Sequence, residues 1–139
     1  MAAFNKFNSF VEAVAEKTHN LGSDTLKVAL TNTAPVATNT VFANITEISA
    51  GNGYSAGGTA SAQVSSAQSS GVYKLVLTDV VFTASGGSIG PFRYIVLYND
   101  TAASDELIGY YDYGPNVTVT TGNTFTVDFD GTNGVLTIT

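Results

Sequence analysis

A change of hydrophobic period near residue 22 constrains the fold of this chain more than any other feature. Before it, apolar residues recur every three to four positions, and on a helical projection an arc of about 120° contains Phe4, Phe7, Phe10, Val11, Val14 and Leu21. Gly22 follows directly and suits the left-handed position after a helix. Beyond it come short Thr-rich segments separated by Gly and Asn. The pattern predicts one amphipathic helix over residues 1–22, followed by β structure over 23–139.

The segments after residue 22 show the two-residue period of β-strands, beginning with Leu26, Val28 and Leu30. Residues 92–98 (FRYIVLY) are almost continuously apolar, which is typical of a central strand covered on both faces. Residues 59–70 are either an edge strand or an exposed loop, and 41–48 are ambiguous. Further strands are predicted over 72–82, 107–113, 117–120, 124–130 and 135–139. Eight or nine short strands without an internal repeat predict a mainly β domain, a two-sheet β-sandwich of jelly-roll type.

Length and charge restrict the classes of function. The 139 residues fit a single domain over 1–139. The net charge is −6 and the five cations are scattered, so the sequence predicts no nucleic-acid partner and an acidic surface drawn to basic patches on another protein. Cysteine is absent, which removes disulfide and thiolate chemistry. No apolar run resembles a signal peptide or approaches the ~20 residues of a membrane span, so we expect a soluble protein made in the cytosol.

One string resembles the nucleophile elbow of hydrolases. Gly86-Gly87-Ser88-Ile89-Gly90 matches G-x-S-x-G, a motif that requires a helix after it and a histidine later in the chain. Here Pro91 and a β-type segment follow, and the single histidine, His19, comes earlier. We therefore interpret the string as a Gly-rich turn.

Two sets of titratable residues are also better explained by structure than by catalysis. His19 falls near the end of the predicted helix on its polar face, where an imidazolium would interact with the helix dipole as a cap. Asp105 and Glu106 are adjacent in a turn-like segment and would point to opposite faces of a strand, so with Asp112 they are interpreted as solvated charges rather than paired catalytic carboxylates.

Two Gly-rich loops resemble ligand-binding motifs without matching them. Asp128–Gly134 has the early spacing of a calcium loop, but Asn133 stands where Gly is required and no Glu follows, so we predict a hairpin turn between two strands. Gly51, Gly53 and Gly57 miss the dinucleotide-binding fingerprint by one residue and precede no helix, which again predicts a turn. The sequence therefore predicts no catalytic, cofactor-binding or metal-binding residue, no cofactor and no enzymatic activity.

The one enriched group of residues is aromatic and consists of Tyr94, Tyr98, Tyr110, Tyr111 and Tyr113. Such residues are buried in a core, stack on sugars or anchor protein interfaces. The sequence leaves these alternatives open.

Four stretches resemble a known family: AFNKFNSFVEAVAEKTHNLGSDTLKVALTN (3–32), ITEISAGNGYSAGG (45–58), SIGPFRYIVLYNDTA (88–102) and LIGYYDYG (107–114). They are similar to the small capsid cement, or head decoration, proteins of tailed bacteriophages and prophages. The resemblance implies a jelly-roll sandwich that acts without cofactors. It also implies synthesis in the bacterial host cytoplasm, then location on the outer surface of the virion.

The partners that the resemblance implies are the phage major capsid protein and a second copy of the chain, with a homodimer as first choice and a homotrimer as second. It transfers no individual site residue. The alternative function is a carbohydrate-binding or tail-associated adhesion module, which would place several of the Tyr residues in one exposed groove.

Overall fold

The computed structural model describes residues 2–139, and these residues form a mainly β protein with antiparallel sheets. Its strands are β1 (Phe4–Lys6), β2 (Leu26–Thr31), β3 (Thr59–Ser61), β4 (Gln63–Ser69), β5 (Val72–Leu77), β6 (Val80–Thr83), β7 (Ile89–Asn99), β8 (Leu107–Val119), β9 (Thr124–Val127) and β10 (Leu136–Ile138). One α-helix, α1 (Ser9–Ala15), and one 3-10 turn, Phe42–Asn44, complete the regular structure of the described residues.

The largest sheet has the strand order β1-β8-β7-β2-β3. Its central strand β7 is buried on both faces, because Ile95 and Leu97 face the main core whereas Val96 and Tyr98 belong to a second apolar cluster on the opposite face. The prediction of a central, doubly covered strand over residues 92–98 is therefore confirmed. β2 pairs with β7 in antiparallel register from Leu26 opposite Asn99 to Thr31 opposite Tyr94.

The main core lies between the five-stranded sheet and two smaller sheets, β10-β5-β4 and β6-β9, in a sandwich-like arrangement. The predicted strand 72–82 is in fact two strands that belong to different sheets. The β structure is interrupted at Thr78 and Asp79, whose side chains accept hydrogen bonds from the backbone. Thr78 Oγ1 accepts from Ala62 N (3.0 Å), and Asp79 Oδ1 accepts from Phe129 N (2.9 Å). Side chains of this kind compete with ladder hydrogen bonds.

The second cluster consists of Phe7, Ala29, Val96, Tyr98 and Leu107. The segment around the 3-10 turn covers it, and the ring of Phe42 stacks on Tyr98 with centroids 4.1 Å apart. Phe42 and Ile45 of the ambiguous residues 41–48 therefore cover the outer face of the large sheet, whereas Ile48 packs against the main core.

The prediction of a helix over 1–22 is wrong for most of that range; residue 1 lies outside the described residues. Phe4–Lys6 is a strand on the edge of β8, Phe7 lies in the second cluster, and only Ser9–Ala15 is helical. Val11, predicted on the apolar face, is 54% exposed. Phe4 lies in a strand, Phe7 in the connection that follows and Phe10 in the helix, so their three-residue spacing does not define one face of a helix.

The helix also ends earlier than predicted, because Lys17 and not Gly22 adopts the left-handed conformation. Lys17 has φ +68°, and the N–H of Thr18 donates to Ala13 O (2.8 Å) while that of Lys17 donates to Val14 O (3.3 Å). This pair of bonds is the Schellman termination.

Residues 59–70 form two edge strands, which confirms one of the two interpretations of this segment. β3 is the outer strand of the five-stranded sheet and β4 the outer strand of the three-stranded sheet. The predicted strands 107–113 and 117–120 are joined in β8, but the register jumps from Tyr94 opposite Asp112 to Phe92 opposite Val117. Residues 113–116 bulge from the ladder and are exposed.

Candidate functional site

The five Tyr residues of the enriched group are distributed over separate environments. Tyr98 is buried and donates its hydroxyl hydrogen bond to Gly57 O (2.7 Å), and the half-buried Tyr94 lies 5.3 Å beneath the guanidinium of Arg93. Tyr110 packs against the second cluster, whereas Tyr111 turns to the main core. Of the five, Tyr111 and Tyr113 line the same groove, so the aromatic site contains fewer Tyr residues than the adhesion-module alternative requires.

These two Tyr residues line an aromatic groove of about 350 Å³ at the open end of the main core. We define the groove by six residues of β8, β9 and the turn that follows: Tyr111, Tyr113, Phe125, Thr126, Asp128 and Phe129. A concave surface of mostly aromatic residues with a few polar groups is typical of a binding site.

The rings of the groove are held by edge-to-face contacts. The Tyr113 ring lies 5.3 Å from Phe125 at 76°, and Phe125 lies 4.9 Å from the fully buried Phe92 at 80°. Tyr113 is therefore 49% exposed and yet anchored to the core through one intermediate ring. The sequence could not reveal this, because Phe125 lies in another sheet.

An ion pair fixes the chain beside Tyr113. Arg93 Nε and an Nη group donate to the two carboxylate oxygens of Asp112 at 2.8 and 2.9 Å, and Gly114 N donates to Asp112 Oδ1 at 2.9 Å. The Arg93 hydrogen bonds, with the Gly114 amide, lower the pKa of Asp112. Arg93 is thus neutralised by its own neighbour.

Asp128 gives the groove a negative charge, and a second carboxylate, Asp130, lies outside the lining near Tyr111. Hydrogen bonds from the backbone and side chain of Asn133 and from Thr132 N lower the pKa of Asp130. Burial, together with the nearby Asp130 carboxylate, raises the pKa of Tyr111 to about 12. Near neutral pH Asp130 is ionised and Tyr111 is a neutral phenol.

His19 is not the exposed helix cap that the sequence predicts. The helix ends before it, and the ring is buried, 6% exposed, with its centroid 5.5 Å from Phe10. The Asn99 amide lies 3.0 Å from Nδ1 and also donates to Asp24 Oδ2 (2.7 Å). Burial lowers the pKa of His19, opposed by the Asp24 and Glu106 carboxylates.

This polar cluster of His19, Asn99 and Asp24 was missed from sequence, because it joins residues up to 80 positions apart. The Nε2 atom of His19 has no hydrogen-bond partner among the described residues. The cluster borders a second, wider groove of about 530 Å³ that also includes Lys17, Ser66 and Tyr73.

The G-x-S-x-G string is a turn, as predicted. β7 begins at Ile89 and no helix follows. Ser88 is exposed and its carbonyl accepts from Asn52 Nδ2 (3.0 Å), while the hydrogen-bonding and ring contacts of His19 are with Asn99 and Phe10. The structure does not bring the serine and the histidine together as a catalytic pair.

The Asp128–Gly134 loop forms a turn, but the predicted hairpin is wrong. Asp130 Oδ1 accepts from Thr132 N and Asn133 N, both at 2.8 Å, and Gly134 N donates to Asp130 O (2.9 Å). The next strand, β10, pairs with β5 instead of β9. Gly134, at φ +81°, lies where the chain crosses to the other sheet, and it packs so closely that an added Cβ would lie 2.6 Å from Leu75 O.

The remaining loops carry structural roles. Asn52 and Gly53, both at positive φ, form the predicted tight turn, with reciprocal bonds of 2.7 and 3.0 Å between Gly51 and Tyr54. Glu47, which the sequence did not single out, holds this loop by accepting from Tyr54 Oη (2.7 Å) and Gly57 N (2.8 Å).

The acidic residues do not form a catalytic pair. Glu106 accepts from Ser104 N (3.2 Å) beside Asp105, whereas Asp112 is engaged with Arg93. Across residues 2–139, no three or more His, Cys, Asp or Glu side chains are grouped so as to hold a metal ion.

No helix within the described part of the chain is long and apolar enough to cross a membrane. No family model, curated protein or solved structure matches this chain. The surface of the molecule is therefore the basis for a functional proposal.

Proposed function

We propose that this protein is a structural virion protein that binds the outer surface of a phage capsid and cements neighbouring major capsid subunits. The proposal includes a jelly-roll topology for the sandwich and a non-enzymatic role. It is supported by the resemblance of four stretches of sequence to capsid cement proteins. The structural observation that carries it is the exposed, uncharged edge strand β4.

One side of the β4 backbone has no strand partner among the described residues, because β4 is the outermost strand of the order β10-β5-β4. Residues 59–70 contain no charge and no proline, which are two of the devices that block strand addition at an edge, while the ladder between β4 and β5 is irregular at Val64. Val64 is 63% exposed on this edge. A strand from a neighbouring protein can add here through main-chain hydrogen bonds.

The net charge of the whole chain suits a basic partner. The net charge is −6, and two of the five cations, Lys27 and Arg93, are already paired with Asp100 and Asp112. Basic patches on a capsid would be attracted to such a surface, and added salt would screen the attraction.

The size of the protein favours an oligomer. The described residues expose 6863 Å², of which a standard interface would cover roughly 800 Å². A homodimer, or as second choice a homotrimer, that spans neighbouring capsid subunits gains avidity because the second contact becomes intramolecular.

Co-sedimentation with expanded, undecorated heads of the parent phage tests the proposal. Wild-type protein is expected to pellet with heads at low salt and to be released as salt is raised. Val64→Lys should weaken binding, because it places a charge on the free edge. Val36→Lys is the matched control, since Val36 is 54% exposed in a loop away from β4. Failure of wild-type protein to pellet at any salt concentration contradicts the proposal.

The aromatic groove favours a second candidate function, glycan binding, because exposed Tyr113 and half-buried Tyr111 line one cleft. Aromatic rings stack on the apolar faces of sugars. A glycan-array screen of wild-type protein and Tyr113→Ser tests this candidate, which predicts binding that is lost with the Tyr113 ring.

A further inference from the structure

We infer that the aromatic groove receives a basic side chain, Lys or Arg, of the capsid subunit. This inference rests on the proposed function and names the chemistry of one of its contacts. It differs from the β4 contact, which uses main-chain hydrogen bonds.

The rings supply the first part of such a site. A cation is attracted to an aromatic face within about 6 Å of the ring centroid. Tyr113 and Phe125 both line the cleft and meet at 5.3 Å with an interplanar angle of 76°, so their ring planes are nearly perpendicular. The contact of Phe125 with buried Phe92 fixes this arrangement before a partner arrives. Little ordering of the groove is then needed on binding.

Charge complementarity supplies the second part. Asp128 is exposed in the groove, and none of the described residues that line the groove is Lys or Arg. Asp130 lies near Tyr111 but outside the lining, and Lys74 is close to it. Arg93, beside the groove at Asp112, is neutralised. An anionic group would be repelled by the Asp128 carboxylate here, whereas a cationic one would be stabilised by that carboxylate and by the rings.

The polar side chains of the groove fit a cation better than a sugar. The described lining carries no side-chain amide or guanidinium group, so its polar side chains are limited to Thr126, Asp128 and the two Tyr hydroxyls. Few donors are then available to hold the hydroxyls of a sugar. A Lys or Arg side chain needs only the aromatic faces and the negative charge that are present.

Short peptides test the chemistry of the groove without a capsid. The probes are acetyl-Gly-Lys-Gly-amide, its Arg and Glu counterparts, and methyl β-glucoside, each titrated into ¹⁵N-labelled full-length protein. The Lys and Arg peptides are expected to shift the amide signals of Phe125, Thr126 and Asp128, and Tyr113→Ser should abolish these shifts. Tyr113→Phe, which keeps the ring, should retain them. No peptide shift, equal shifts with the Glu peptide, or shifts with the glucoside alone overturns the inference.

Heads test the biological contact. Asp128→Asn and Tyr113→Ser are each expected to lower affinity for undecorated heads about tenfold or more, the effect of an interface hot spot. Asp105→Asn is the charge-matched control, because Asn also tolerates the left-handed conformation of Asp105, φ +55°. If wild-type protein binds heads and both groove variants bind them with the same affinity as wild type, this inference alone is overturned. Wild-type protein that does not bind heads overturns the proposed function.

Discussion

Replacing Phe7 by Ala tests whether the second apolar cluster contributes as much stability as a conventional core. Phe7 is 0% exposed, and its ring lies 5.3 Å from that of Tyr110. A buried Phe removes roughly 150–250 Å² from water, or about 4–6 kcal/mol at ~25 cal/mol per Å². Phe→Ala changes in cores cost about 3–5 kcal/mol. We expect Phe7→Ala to lower the free energy of unfolding by this amount, out of a total of roughly 5–15 kcal/mol.

Urea denaturation followed by circular dichroism measures this change in the free energy of unfolding. In thermal denaturation the Tm should fall by roughly 10–20 °C. The control is Val11→Ala, four residues further on and 54% exposed, which should change stability by no more than about 0.5 kcal/mol. If Phe7→Ala costs less than about 1 kcal/mol, or no more than Val11→Ala, the second cluster does not contribute stability as a conventional core does.

Three further predictions concern His19, the helix end and a close backbone approach. Because burial lowers the pKa of His19, the folded state binds fewer protons than the unfolded state as pH falls through about 6.5. The free energy of unfolding, measured from denaturation curves, should therefore decrease as the pH is lowered from 7.5 to 5.5. His19→Gln should weaken this dependence on pH; an equal dependence in variant and wild type would contradict the prediction. Lys17→Gly should raise stability by roughly 0.5–1 kcal/mol by relieving φ +68°, whereas Lys17→Ala should not. Gly58→Ala should cost about 2–4 kcal/mol, since its Cβ would collide with Val28 O, while Gly71→Ala, at a similar φ but in open space, should cost about 1 kcal/mol; equal losses would rule out the collision.

Strands whose burial depends on local pattern could be predicted from the sequence. The run at 92–98 identifies the central strand because apolar residues at both parities require cover on both faces. The tight turn at Asn52 and Gly53 could also be predicted, since the left-handed conformation of those residues is a local property.

The N-terminal region was mispredicted because several structures explain the same spacing. Phe4 joins a strand only because β8 supplies a partner at Tyr111 and Gly109 leaves room for its ring. A helical projection contains no information about that partner. The hairpin at Asp128–Gly134 failed for the same reason, since the choice between β9 and β5 as a neighbour of β10 is made by the tertiary structure.

The candidate site was only partly foreseeable. The sequence shows the enriched Tyr residues, but the division of Tyr110 and Tyr111 between two faces and the approach of Phe125 to Tyr113 follow from sheet packing. The buried His19 contacts Asn99, which lies 80 positions further on at the end of β7. No short-range pattern records either contact.

The pairing of β1 with β8 has a consequence for how this chain reaches its structure. Asn5 Nδ2 donates to Tyr110 O, a contact between residues 105 positions apart, and β10 likewise returns to β5. Closing such long loops is entropically expensive, so proteins dominated by distant strand pairs fold in milliseconds to seconds rather than microseconds. On the ribosome, residues 4–6 have no partner until residues 109–111 have emerged. The apolar side chains of Phe4 and Phe7 therefore stay unprotected until that point, and transiently exposed apolar surface of this kind promotes aggregation.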